Sequence, residues 1–222
     1  MIKGIIFDMD GVLVDSQPAH FVFDIKSLEK CGVIRDTAFV TQYAGMAGPD
    51  RWAKYKKDLA LTEDVDTLVA RHAATIADCL NDFQFVPIRG VTELLVFLKE
   101  KGLRLAVASS SDTAFVHRML GLLKLDRYFD AIVCGDEITR SKPAPDIFLK
   151  AAQVLGLTPE RCIVIEDSGA GTLAASRAGI PCVGYINPNS GQQDLSPAFQ
   201  TIHSFDELRA DTRWLGPHEA GR

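Results

Sequence analysis

The stretch IIFDMDGVLVDS, residues 5–16, decides how the rest of the chain is read. Ile5, Ile6 and Phe7 form an apolar run that reads as a buried strand, and Asp8 stands where that run ends. Asp10 follows two residues on, and Gly11 marks a sharp change of backbone direction. Paired carboxylates at a strand's carboxyl end, ahead of a glycine turn, suit an active site in an open α/β sheet. Charged turn residues also follow buried strands without any chemistry, so the remaining sequence must decide.

Working outward, short apolar runs recur with helix-length segments between them. KGIIFD (3–8), LRLAVAS (103–109), AIVCG (131–135), CIVIED (162–167) and PCVGYI (181–186) read as buried strands. Helical patterning covers 91–102, 115–123, 145–156 and 171–179, several of these segments ending in glycine as a carboxyl cap does. Such alternation predicts an α/β fold: a Rossmann-like parallel sheet with helices on both faces. A weak strand at 200–205 and a short helix at 206–211 finish the sheet edge. Almost a hundred residues separate the first two strands, too many for one crossover, so a domain is inserted. Its patterning is all helical, which gives a core of 1–16 plus 87–215, a helical cap of 17–86 and a tail of 216–222.

The chain has 222 residues, 47% hydrophobic and 24% charged, with net charge −5, the composition of a soluble globular protein without the basic footprint of nucleic-acid binding. No apolar run approaches the ~18 residues of a membrane span, and the amino terminus lacks a signal-peptide pattern. Cys31, Cys79, Cys134, Cys162 and Cys182 are odd in number and dispersed, which suits a reducing cytoplasm, and Cys134, Cys162 and Cys182 lie in or beside apolar runs and read as packing. Neither nucleic acid nor a membrane is therefore an expected partner.

Reading off the strand ends gives one set of groups. Strand one delivers Asp8 and Asp10, strand two Ser109 to Ser111, and strand four Glu166 and Asp167. SKPAPD (141–146) follows strand three and brings Lys142 on a backbone stiffened by Pro143 and Pro145. An aspartate, with an ordinary pKa near 4, is ionised at neutral pH and attacks phosphorus without a base. Converging carboxylates repel one another unless a cation neutralises them, and an all-oxygen set suits magnesium. A serine hydroxyl can hold a phosphoryl oxygen and a lysine balance its charge, while a second acid protonates the leaving oxygen. Singly, Lys142 reads as a solvated loop lysine, the serines as a turn and helix cap, and Glu166 and Asp167 as acids favouring a helix start. Joint occurrence is the stronger signal.

Through four ordered motifs, DMDGVLVDS, VASSS, RSKPAPD and VIEDSGAG, the chain resembles the haloacid dehalogenase superfamily over residues 3–210, in its phosphatase and phosphomutase branch with a helical cap. The resemblance implies Asp8 as nucleophile, Asp10 as general acid and base, Ser109 as phosphate binder, with Ser110 beside it, and Lys142 as balancing cation. It implies magnesium held by Asp8, the Asp10 carbonyl and Asp167, with Glu166 bound directly or through water. Phosphomutase-like members carry a histidine at the position of His20, where it meets the general acid as the cap closes; a lone helix histidine is otherwise structural. Arg51, Lys54, Lys56 and Lys57 are either substrate contacts or a solvated helix face, and only Arg51 enters the expected site. Trp52 and Tyr55 read as cap packing, and NPNSGQQD (187–194), which follows the fifth strand, either borders the site or, the preferred reading, is a surface turn. The resemblance implies a small phosphorylated metabolite as partner, and the expected state is a monomer or weak dimer.

Dehalogenases of the superfamily lack the second aspartate, so Asp10 favours phosphoryl chemistry. β-Phosphoglucomutases resemble the chain more closely, but their cap loop carries a lysine before a glycine and then an arginine. Here Ala44 precedes Gly45, and Gly48 falls where the arginine would be. Loss of both cations favours a phosphatase, with a sugar phosphomutase as the alternative.

Overall fold

The computed structural model describes residues 1–43, 46 and 48–216. It divides into two compact units, residues 1–15 with 86–222 and residues 16–85.

The first unit is built on six parallel strands: β1 (Gly4–Phe7), β2 (Arg104–Ala108), β3 (Ala131–Val133), β4 (Cys162–Glu166), β5 (Cys182–Tyr185) and β6 (Gln200–Ile202). Their spatial order is β3-β2-β1-β4-β5-β6, so the winding direction reverses between β1 and β4. Register aligns Phe7 with Val107 on one side and Ile165 on the other, which brings the carboxyl ends of β1, β2 and β4 level. Every residue of β1 and of β4 is buried, because helices cover both sheet faces and the strands have no solvent side. Ile6, Ala106 and Val164 share one core cluster with Ile147, Phe148 and Ala151 of α7 (Asp146–Val154) and with Ala174 and Ala175 of α8 (Gly169–Arg177). Ile5 and Phe7 alternate onto the opposite face, also without exposure. The remaining helices of this unit are α5 (Val91–Glu100), α6 (Thr113–Leu123) and α9 (Phe205–Ala210).

Helix starts in this unit follow capping chemistry. Asp112 accepts from Phe115 N–H at 3.0 Å to begin α6, and Ser168 accepts from Gly171 N–H at 3.0 Å to begin α8. Two of these helices thus begin two residues earlier than the apolar periodicity suggests, because the cap residue lies outside the apolar pattern.

The second unit is helical: α1 (Gln17–Lys30), α2 (Thr37–Thr41), α3 (Gly48–Asp58) and α4 (Val65–Cys79). Leu28, Val40, Tyr43, Trp52, Tyr55 and Leu68 form its core. Trp52 and Tyr55 pack edge to face with ring centroids 5.2 Å apart, as their expected packing role requires. All five cysteines are free, four of them buried. Among the described residues no helix is long and apolar enough to cross a membrane.

Candidate active site

The reversal between β1 and β4 opens a crevice at the strands' carboxyl ends, where open α/β sheets bind ligands. Asp8 is the first residue past β1 and only 6% exposed. Its backbone N–H donates to Ile165 O at 3.0 Å, tying it to β4 before the chain turns. Gly11 makes that turn at φ +87, and a side chain there would also overlap the carboxylate of Asp167.

Lys142 arrives from the loop after β3. Its Nζ donates to Asp8 Oδ1 at 2.5 Å, Glu166 Oε1 at 2.8 Å and the Ala108 carbonyl at 3.3 Å. Its side chain is 6% exposed, so the solvated-loop reading does not apply to this lysine. Burial works against the ammonium, but Asp8 and Glu166 outweigh it and hold the proton above the usual lysine range. Each Glu166 oxygen has a partner, the second accepting from Ser168 N–H at 2.6 Å. Gly171 leaves the room that this carboxylate occupies.

Asp10 is bonded to the serines after β2. Its Oδ2 accepts from Ser111 Oγ at 3.0 Å and Ser109 Oγ at 3.4 Å. Ser109 is buried and its Oγ also accepts from Ser111 N–H at 3.1 Å. Since Asp112 caps α6, these two serines are left for Asp10. Ser110 lies half-buried, its carbonyl so close to Gly135 that a side chain at 135 would overlap it.

Asp8, Glu166 and Asp167 each offer an oxygen, all within 4.8 Å of one another and all buried. Burial, with Glu166, Asp167 and Asp10 nearby, drives the Asp8 carboxyl well above its ordinary value, Lys142 opposing. Burial and Glu166 push Asp167 up to about 8. Lys142 and a bound cation would both oppose these shifts and favour the ionised carboxylates. Three clustered carboxylates, with Asp10 nearby, share one ammonium, and a hard divalent cation is the group that this all-oxygen, charge-rich set fits.

The structure thus brings Asp8, Asp10, Ser109, Lys142, Glu166 and Asp167 together. It gives Ser111, of the serine run expected at the end of strand two, a bond to Asp10, and it adds Ser190 and Asn187, which the sequence reading did not single out. Ser190 Oγ donates to Asp167 Oδ2, and Asn187 Nδ2 donates to the Gly11 carbonyl at 2.9 Å. The 187–194 segment is accordingly part of this edge of the sheet, not the surface turn that its Pro, Ser and Gly content suggests.

His20 and Arg51 belong to the second unit. His20 lies on α1, edge to face with Phe23 at 5.9 Å. Arg51 on α3 sits against the buried carboxylate of Asp24, Nε to Oδ2 3.1 Å, and donates from Nη1 to Met46 O at 3.1 Å. Tyr55 donates its hydroxyl proton to the same Asp24 oxygen at 2.9 Å, and His72 lies 3.5 Å from Oδ1. This polar knot inside the helical unit has no local sequence signature beyond the residues themselves. Ala44 and Gly45, of the loop weighed against mutases, lie outside the described residues, as does the tail beyond Gly216.

Comparison with known proteins places this geometry. The sequence profile of the haloacid dehalogenase-like hydrolases matches residues 5–185, and the chain belongs to that family. It is a hydrolase of phosphate esters. It is similar to the validoxylamine A 7'-phosphate phosphatase of Streptomyces hygroscopicus subsp. limoneus, 32% identical over 94% of this chain and 97% of the relative. The phosphorylated carbohydrates phosphatase of Thermotoga maritima is 31% identical over 81% of this chain and 82% of its own length. Among solved structures, β-phosphoglucomutase from Clostridium difficile superimposes with a TM-score of 0.81 at 25% identity, covering 94% and 93% of the two chains.

Proposed function

We propose that the protein is a magnesium-dependent phosphatase that hydrolyses a small, sugar-phosphate-like monoester through a phosphoaspartyl intermediate. One observation carries the reading: a buried Asp8 held by Lys142 at 2.5 Å, with a second acid, Asp10, set apart from the metal-type cluster on two serine hydroxyls. Two carboxylates two residues apart are thereby given different surroundings, the usual basis for different roles.

An oxygen of Asp8 attacks phosphorus, and the bond from phosphorus to the ester oxygen breaks. Asp10, protonated at this stage, gives its proton to the departing alkoxide. In the second half Asp10 takes a proton from water, whose oxygen attacks the aspartyl phosphate. The bond from phosphorus to Asp8 breaks, inorganic phosphate leaves, and both acids return to their starting states. Lys142 balances the charge of the transferring group, and Ser109 and Ser110 hold its oxygens. Magnesium, held by Asp8, the Asp10 carbonyl and Asp167, neutralises the cluster and the phosphoryl charge when bound. Glu166 already spends both oxygens on Lys142 and Ser168, which supports its contributing through water.

His20 and Arg51 enter the proposal as residues of the helical unit, acting on proton transfer and on substrate respectively. Asp24 balances the charge of Arg51, leaving little net attraction for a second phosphate. That favours hydrolysis over transfer between two positions of a sugar. The names of the two phosphatase relatives point the same way, to phosphorylated carbohydrate-like substrates. Five free cysteines support a cytoplasmic setting.

Hydrolysis of p-nitrophenyl phosphate with magnesium, after chelation, and after magnesium return is the direct test, followed by a panel of phosphate esters. Turnover should vanish with chelation and recover with metal. Turnover indifferent to metal, or no phosphate released from any ester, would overturn the reading.

A further inference from the structure

The segment after β5 has the composition of a surface turn, yet four of its polar side chains bond to distant parts of the chain. Asn187, 6% exposed, donates to the Gly11 carbonyl at 2.9 Å, and Asn189 donates to Asp15. Both acceptors lie in the turn that follows Asp8 and Asp10. Gln193 accepts from Gly169 N–H at 3.0 Å, at the start of α8. Ser190 donates to Asp167 itself.

Bonds within the segment make these contacts one unit. Asn187 Oδ1 accepts from Asn189 N–H at 2.8 Å, and Gln193 Nε2 donates to Ser190 O at 2.8 Å. Ser190 N–H donates to Asn187 O at 3.2 Å. The backbone of Ser190 is therefore fixed from both sides before its hydroxyl meets Asp167.

Asp167 is confined between two surfaces. The Gly11 backbone approaches so closely that a side chain at 11 would overlap it, and Ser190 engages Oδ2 from the 187–194 segment. A carboxylate with one oxygen bonded to a hydroxyl has a fixed rotation about its last bond, and its other oxygen is thereby aimed. Outer hydrogen-bond partners of metal-binding carboxylates act in this way, and losing one commonly weakens metal affinity about 10–100-fold.

We infer that Ser190 is a positioning residue for Asp167, and that the 187–194 segment is a clasp that sets the metal-binding face of the site by joining the turn after Asp10 to the start of α8. The inference rests on the magnesium reading above. It assigns work to a residue outside the four sequence motifs and explains why a polar, turn-like segment is bonded at four points.

Calorimetric titration with Mg2+ of the full chain, as wild type, Ser190→Ala and Ser190→Thr, tests it. The alanine variant should bind Mg2+ about 10–100-fold more weakly, with an unchanged melting temperature in the absence of metal. Threonine, which keeps the hydroxyl, should restore binding. Turnover by Ser190→Ala should recover as Mg2+ is raised, since no reacting group is removed. Wild-type Mg2+ affinity in Ser190→Ala, or failure of threonine to restore it, overturns the inference and leaves the phosphatase reading intact. A wild-type protein that binds no Mg2+ overturns both.

Discussion

Lys142 meets Asp8 across 134 positions of sequence, its Nζ 2.5 Å from Asp8 Oδ1. The contact joins the loop after β3 to the end of β1, and the same ammonium reaches Glu166, the last residue of β4, at 2.8 Å. One cation thus links three strand ends at the point where the sheet reverses direction. A buried ammonium between two carboxylates costs desolvation, which its hydrogen bonds offset only when all partners are in place. Its removal therefore tests both the chemistry and the local electrostatics.

Replacing Lys142 by alanine should lower kcat by about 10²–10³-fold, the usual effect of losing one group aimed at developing charge. Arginine should not restore the rate, because a planar fork cannot converge on Asp8, Glu166 and the Ala108 carbonyl as a compact ammonium does. Steady-state kinetics at saturating magnesium give the answer. Wild-type kcat in Lys142→Ala would remove this residue from the chemistry.

Asp8→Asn should abolish turnover, since a neutral carboxamide is a poor nucleophile and no aspartyl phosphate can form. Retention of more than a few per cent of the wild-type rate, with deamidation excluded by mass spectrometry, would end the nucleophile assignment.

The two aspartates of the first motif should separate cleanly. In Asp10→Asn, magnesium affinity should be largely kept, because the proposed ligand there is the backbone carbonyl, while kcat falls about 10²–10⁴-fold. Its carboxylate is bonded to Ser111 and Ser109 and is not a member of the group formed by Asp8, Glu166 and Asp167. Collapsed metal affinity with surviving turnover at saturating metal would reverse these roles.

How far these residues could be read from sequence follows from the range of the interactions. Strands β1 and β4 are continuous apolar runs because both sheet faces are covered, so local composition reveals them and the acids at their ends. The inserted helices are legible through their periodicity, except α2, whose five residues Thr37–Thr41 are too few to show one. The sequence let the 187–194 segment border the site but did not single out Ser190 and Asn187, because their partners lie far away in sequence, at Asp167 and Gly11, and a turn-like composition says nothing of such bonds. Asp24 and His72 were missed for a similar reason. A polar residue on an amphipathic helix reads as solvated unless its buried partners, here Tyr55, Arg51 and Ser27, are known.

His72 gives the helical unit a pH dependence. Burial holds its pKa well below the ordinary 6.5, with Arg51 and His20 adding to the effect. The unfolded chain therefore takes up a proton near pH 6.5 that the folded unit refuses. Stability is intact above that pH and falls as the pH drops from 6.5 toward the folded value. Replacement by glutamine, which keeps a polar partner for Ser27, should flatten the fall in melting temperature between about pH 7 and pH 5, the range in which an ordinary histidine titrates. An unchanged slope in His72→Gln would place the sensitivity elsewhere. Asp24 pulls the other way, since burial raises its pKa, so the slope attributed to His72 is read from the difference between the two proteins.

Hydrolysis and mutase chemistry should separate on glucose phosphate. A mutase must hold a bisphosphate in two orientations, with cations in the cap for the phosphate that is not reacting. Gly48 stands at one such position and Ala44 at the other, while Arg51 is already balanced by Asp24 at 3.1 Å. Each missing charge-assisted hydrogen bond is worth about 1.5–3 kcal/mol, so two together favour loss of the bisphosphate before it can turn. β-Glucose 1-phosphate with a bisphosphate primer should therefore yield inorganic phosphate or nothing, and no glucose 6-phosphate in a coupled dehydrogenase assay. Steady glucose 6-phosphate production would show that the helical unit does hold a second phosphate. Asp24→Asn would then identify the contact, by changing the affinity for the bisphosphate if Arg51 makes it and leaving that affinity alone if it does not.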